Sequence, residues 1–272
     1  MWNSTGSGRR FIRVGALGMA LALTASGIGA QEKPASGSRA SPVFMVDGEI
    51  ALHSLMALSD GHLQKLAAVL TMLANTDAAR SCDWETIRAH LVEAATLNVP
   101  AVLWFATPDG SYWTIAQGRV EATLTDRRYF PRLLAGQTVV GDLVVSHSTN
   151  RNTAIVAVPI LGQEHEVVGM LGASVHLDSL AALLRAEMGG LREDLLFFAI
   201  DSQGLGALNS DPTLIFTEPL KLGDAGMERA FRQILSSSDG VVTYDFHGAR
   251  RTVLYRRSAI TGWSYGLGMI RR

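Results

Sequence analysis

The chain has a single cysteine, Cys82, so it can form no internal disulfide and cannot build a thiolate metal site alone. It has no block of Lys or Arg beyond its first thirty residues, which argues against a nucleic-acid partner. It has no later apolar run long enough to cross a membrane. Catalytic signatures are missing too. There is no GxSxG elbow, no phosphate loop and no dinucleotide glycine motif outside the N-terminal segment. Ser, His and Asp occur without a spacing that picks out a triad. The histidines, among them His165, His176 and His247, are too scattered for a zinc motif. Catalysis is therefore not expected, and no cofactor or metal is implied.

What is present is globular. Apolar residues make up 47% and charged residues 18%, which fits a packed core rather than disorder. The 272 residues suffice for one large domain or two small ones. The N-terminus differs from the rest. Arg9, Arg10 and Arg13 precede the apolar, small-residue run from Val14 to Ala30. A basic region, a short apolar region and a small-residue tail read as a secretory signal peptide over 1–30. An uncleaved anchor is the other reading. Arg9-Arg10 before Phe11 resembles a twin-arginine signal without its spacer residue, so the export route stays open. No cysteine near the cleavage region serves a lipid anchor. Residues 1–30 hold three basic and no acidic residues, leaving 21 basic against 25 acidic and a net charge of −4. A soluble periplasmic or secreted protein is expected.

A polar leader with Pro34, Gly37 and Pro42 fills 31–44 and is expected to be disordered. Region 45–100 is helical. Leu52, Leu55 and Met56, then Leu63, Leu66, Leu70 and Leu73, recur at helical spacing, with a break or kink allowed at Gly61. Asp83 caps a second helix, in which Trp84, Ile87 and Leu91 share a face. The pattern then turns to strands over 101–177. Strand 101–107 ends in the turn Pro108-Asp109-Gly110, strand 111–117 returns from it, and further strands follow at 139–146, 153–161 and 167–177. A short helix is expected near 129–134. The short connections make neighbouring strands antiparallel, in a sheet of about five strands. A linker helix over 178–193, capped by Asp178, ends at Gly189-Gly190. The unit 194–272 repeats the plan: a strand at 194–201, a short one at 214–216, a helix around Met227–Leu235, a hairpin turning at His247-Gly248, and a last strand at 263–270. The fold class is α+β, with a long helix supporting two antiparallel sheets.

The segments "DGSYWT", "LTDRRYFPRLLAG", "VVGDLVVSHSTNRNTAIVAVPI" and "VVGMLGASVHLDSL" in the first half carry a family resemblance. So do "FFAIDSQG", "AFRQILSSSDGVVTYDFHGARRTVLYRR" and "TGWSYGLGM" in the second. In this order and spacing they resemble the double Cache family of extracytoplasmic sensor domains, over about 45–270. The resemblance implies two PAS-like modules on one long helix. The distal module, 101–177, binds a small molecule, and the proximal module is 194–272. Most members sit between two membrane spans of a signalling protein. This chain is expected to be a free-standing version that signals through a membrane signalling protein or a transporter. Pairing of two chains through the N-terminal helix is allowed by the leucine stripe but not required by it.

The resemblance also implies site residues. Amino-acid-binding members carry Arg, any residue, Trp, Tyr in the segment covering the distal sheet. Here the match is Arg127, Arg128, Tyr129 and Phe130. A guanidinium offers a bidentate fork to a ligand carboxylate. A salt bridge from Arg127 to Asp126 is the competing reading. Tyr112 and Trp113 alternate on one strand, so only one of them faces a pocket, and family likeness favours Tyr112. Family members pair the ligand ammonium with an Asp where this chain has Ser174. A hydroxyl cannot neutralise a buried ammonium, so an ordinary α-amino acid is disfavoured. Asp142 is the candidate replacement if it faces inward. A small carboxylate or other polar metabolite fits better. The alternative is a non-catalytic interaction or structural module with a decayed pocket.

Overall fold

The computed structural model describes residues 47–272 except 97, 98 and 191. The signal segment and leader, 1–44, lie outside the described residues. Helix α1 (Gly48–Ala74) starts where the Asp47 side chain accepts a hydrogen bond from the Glu49 N–H at 2.8 Å. It runs unbroken through Gly61, whose added Cβ would meet nothing within 4 Å. The expected break is absent because burial of Leu52, Leu55, Leu63, Leu66 and Leu70 along one stripe outweighs the weak helix propensity of one exposed glycine. Helix α2 (Asp77–Arg80) and helix α3 (Trp84–Ala95) follow, α3 capped by Asp83, which accepts from the Thr86 N–H at 2.9 Å.

The first sheet contains β1 (Ala101–Ala106), β2 (Tyr112–Thr114), β3 (Gly118–Val120), β4 (Val139–Val145), β5 (Asn152–Leu161) and β6 (Val167–His176). Its order is β3-β2-β1-β6-β5-β4, all antiparallel. It has six strands where about five were expected, because the three-residue β3 is too short to show an alternation. Helix α4 (Phe130–Leu134) lies in the excursion between β3 and β4. Helix α5 (Leu177–Glu187) leads to the second sheet. It starts with His176 at the cap position, not Asp178. Asp178 sits inside the first turn, where it accepts from the Ser179 N–H, and both of its carboxylate oxygens accept from Nη2 of Arg151 at 2.7 and 2.6 Å.

The second sheet contains β7 (Leu195–Ile200), β8 (Gly206–Asn209), β9 (Asp239–Phe246), β10 (Ala249–Arg257) and β11 (Ser264–Arg271), in the order β8-β7-β11-β10-β9. Helix α6 (Ala225–Ser236) precedes β9. The β9–β10 hairpin turns on His247 and Gly248, both at positive φ, the pairing that a two-residue turn between twisted strands favours. Residues 214–216 are not a strand. Leu214 ends a short 3₁₀ turn, and Phe216 has φ +64°. The added strand is β8 instead. Without β3, the first sheet has the same strand order as the second, so the repeat is visible in topology.

Helix α1 packs against both sheets, and its leucines join one core with Phe105, Val156, Leu171, Phe197, Trp263 and Tyr265. Two polar contacts lock this arrangement. Asp60 of α1 is buried among hydroxyls. The Ser258 hydroxyl donates to Oδ2 at 2.7 Å, and the Tyr265 hydroxyl lies 2.9 Å from Oδ1. Burial pushes the Asp60 carboxyl above its ordinary range, against the pull of these hydroxyls. Trp263, fully buried, donates from Nε1 to the Gly141 carbonyl of β4 at 2.8 Å, joining the second module to the first. Gly141 has φ +93° at a bulge in β4, and an added Cβ would come within 3.0 Å of Thr261.

Two outcomes follow from these contacts. Asp60→Ala removes an acceptor from buried hydroxyls and should cost about 2–4 kcal/mol in urea unfolding. Asp60→Asn, which can still accept from Ser258 and donate to Tyr265, should stay within about 1 kcal/mol of the parent. A large loss in the Asn variant would mean that the charge itself is required. The second concerns His176. Arg151 donates to its Nδ1 at 2.8 Å, which fixes the proton on Nε2. Burial first, and Arg151 second, hold its pKa below the ordinary histidine value. The unfolded chain therefore binds the proton more readily. This contribution to stability is present above about pH 6.5 and is lost as pH falls towards the depressed folded value. Melting temperatures between pH 7.5 and pH 5 should fall less steeply in His176→Gln than in the parent; equal slopes would contradict this.

Candidate functional site

The face of the first sheet opposite α1 is covered by residues 121–134. Along β6, Met170, Gly172 and Ser174 point to this face, while Leu171, Ala173 and Val175 join the α1 core. Gly172 makes room for the indole of Trp104, which lies 2.1 Å from where a Cβ would be. On β2 the alternation separates the aromatic pair. Tyr112 is buried against the covered face, whereas Trp113 stacks on Phe105 on the helix side with centroids 5.6 Å apart. Tyr112 has the Ser148 hydroxyl as its hydrogen-bond partner, and burial pushes its phenol pKa up.

Between covering segment and sheet lies a small pocket of about 20 Å³. Tyr112, Arg127, Tyr129 and Ser174 line it together, with Trp104, Ser146, His147 and Ser148 also in its wall. Arg127 is largely buried. Its Nη2 donates to the Val145 carbonyl at 2.9 Å, and its Nε lies 3.7 Å from Asp126. Asp126 also faces His147 at 3.2 Å. The ion pair with Asp126 and a place on the pocket wall thus coexist. Tyr129 is almost fully buried, and desolvation drives its phenol pKa far up despite the nearby Arg127. Phe130 is not in the pocket wall; it packs in the apolar core with Leu133 and Val139. Asp142 is not there either. It pairs with Arg132 of α4 and faces a different space.

That space is a cleft of about 750 Å³ between the modules. Arg127, Arg128, Arg132 and Asp142 line it from the first module, and Asp201, Phe216 and Thr261 from the second. Arg127, Tyr129 and Val144 belong to both walls, so they form the partition between the cleft and the small pocket. Burial raises the Asp201 carboxyl, while backbone N–H groups of Leu205 and Gln203 and the Arg128 charge act against it. Sequence reasoning missed Asp201, Phe216 and Thr261, because nothing local marks residues brought together from separate modules. Among the described residues, no group of three His, Cys, Asp or Glu side chains is arranged to hold a metal ion. No helix among them is long and apolar enough to cross a membrane.

The double Cache family model, a Cache domain, matches residues 43–269. The chain belongs to this family. Solved structures share the Cache architecture. The periplasmic sensory domain of the Campylobacter jejuni chemoreceptor Tlp1 aligns at TM-score 0.61 and 12% identity, over 82% of this chain and 94% of that one. The ligand-binding domain of the Pseudomonas aeruginosa amino acid chemoreceptor PctB, in complex with L-Arg, aligns at 0.62 and 15%, over 82% and 94%. The ligand-binding domain of the Pseudomonas fluorescens chemoreceptor CtaA, in complex with L-isoleucine, gives 0.62 and 16%, over 82% and 89%. Among curated protein sequences no match was found. The Cache fold accounts for the repeated sheet, the supporting helix and the covered face of the first module.

Proposed function

We propose that this Cache chain is a non-catalytic periplasmic or secreted sensor module whose distal module, 101–177, binds a small carboxylate or other polar metabolite. One observation carries the reading. The residues lining the small distal pocket include one arginine, Arg127, and no Asp or Glu. Tyr112 and Tyr129 supply rigid walls, and Ser174 supplies a hydroxyl opposite the covering segment. The Asp126 carboxylate that pairs with Arg127 lies outside the pocket wall, so a guanidinium in a wall without carboxylates favours an anion over a zwitterion, because an ammonium there would be buried without a partner. Asp142 does not replace the missing acid, since Arg132 already holds it. Phe130 supports the covering segment from beneath. The relatives of known structure are chemoreceptor sensory domains, which supports output through a membrane signalling protein. A transporter is the other candidate partner.

The second reading, an interaction module with a decayed pocket, is favoured by the pocket's free volume of about 20 Å³. That holds about one water. In the sensor reading, residues 121–134 swing away from the sheet to admit the ligand.

Calorimetric titration against short carboxylic acids and amino acids separates the two. Arg127→Ala should weaken carboxylate binding by about 2–5 kcal/mol with circular dichroism unchanged. Ser174→Asp should weaken it by like-charge repulsion and raise affinity for an amino acid. Unchanged affinity in folded Arg127→Ala would remove this site. Tight binding of an ordinary amino acid by the parent would overturn the argument from Ser174. If no acid or metabolite raises the melting temperature, and a periplasmic partner is captured instead, the interaction reading stands.

A further inference from the structure

The second module has a covered face of its own. Alternation along β10 puts Arg251, Val253 and Tyr255 on the side facing α6, so a charged residue stands in an otherwise apolar row. The guanidinium carbon of Arg251 lies over the Phe246 ring, 4.6 Å from its centroid. It donates to the Tyr244 hydroxyl. Its Nε is buried and has no hydrogen-bond partner among the described residues. No carboxylate among them forms an ion pair with it. Asp211 and His247 are the titratable groups near it, and Asp211 is turned to the N–H and hydroxyl of Thr213. Phe231 and Met227 of α6 line the same pocket, closed from above by Leu214 and Leu222 of the loop between β8 and α6.

A guanidinium seated over an aromatic ring in an apolar pocket wall, with one donor unspent, has the chemistry of a carboxylate anchor beside a short alkyl group. We propose that the proximal module holds a second binding site for a short monocarboxylate, anchored by Arg251, with the alkyl chain against Phe231 and Met227. The free space is about 20 Å³, so a ligand enters by lifting the Leu214–Leu222 loop. This site is separate from the distal pocket and does not rest on the reading of Arg127.

The probe is butyrate, titrated into the full secreted protein and into Arg251→Leu, Arg251→Lys and Arg127→Ala. The parent and Arg127→Ala should both retain a butyrate site of equal affinity. Arg251→Leu should weaken that site by about tenfold or more. Arg251→Lys, which keeps the charge but loses the planar fork, guards against a folding defect in the Leu variant and should still weaken it severalfold. Butyrate affinity in folded Arg251→Leu or Arg251→Lys equal to the parent's would overturn the proposal. So would the absence of any butyrate binding to Arg127→Ala.

Discussion

The structure depends on burying the leucine stripe of α1. A helix of 27 residues with one apolar face has no core of its own, and it is stable only while both sheets lie against it. Apolar packing is not directional, so it does not by itself set where along the helix each module sits. The buried Asp60 does. Its carboxyl must keep the Ser258 and Tyr265 hydroxyls, because leaving it unpartnered in the core is costly. Trp263, two residues before Tyr265, then fixes the second module to β4 through the Gly141 carbonyl. Helix, first sheet and second sheet are thus referenced to one short segment, 258–265.

This junction borders the cleft. Gly141 and Thr261 belong to the Trp263 contact and also line the cleft wall. Arg127 and Tyr129 form the partition between the cleft and the small pocket. The two spaces thus share a side-chain wall made of Arg127, Tyr129 and Val144.

The two modules repeat one topology but differ in how they use it. The first carries its arginine on the covering segment, and the second carries Arg251 on the sheet itself. The first adds β3, which lengthens the connection to α4 and supplies the segment that covers the sheet. The second has two short 3₁₀ turns in the corresponding connection. The differences lie in the connections, where chain length changes at little cost to the sheet.

Much of this was legible in the sequence wherever a local rule decided it. The leucine spacing of α1, the Asp83 cap, the Pro108-Asp109-Gly110 and His247-Gly248 turns, and the opposite facing of Tyr112 and Trp113 are consequences of helix period, capping, turn chemistry and strand alternation. They need no distant partner. The family segments did the rest for the fold. What the sequence could not decide depended on distant groups. Asp178 has the chemistry of a cap, but Arg151, in the connection that enters the neighbouring strand β5, claims its carboxylate. Asp142 has the charge to replace a missing Asp, but Arg132 holds it on the cleft side. Phe130 sits in a motif beside Arg127, yet helical geometry turns it into the core. The short strands β3 and β8 exist only because an edge was available for pairing. The sequence by itself determined the elements, their order and the polarity of each face, because those follow from neighbours along the chain. Tertiary structure alone decided which charges are spent on each other and which are left facing a pocket, because a charge's partner is set by proximity in space and not in sequence.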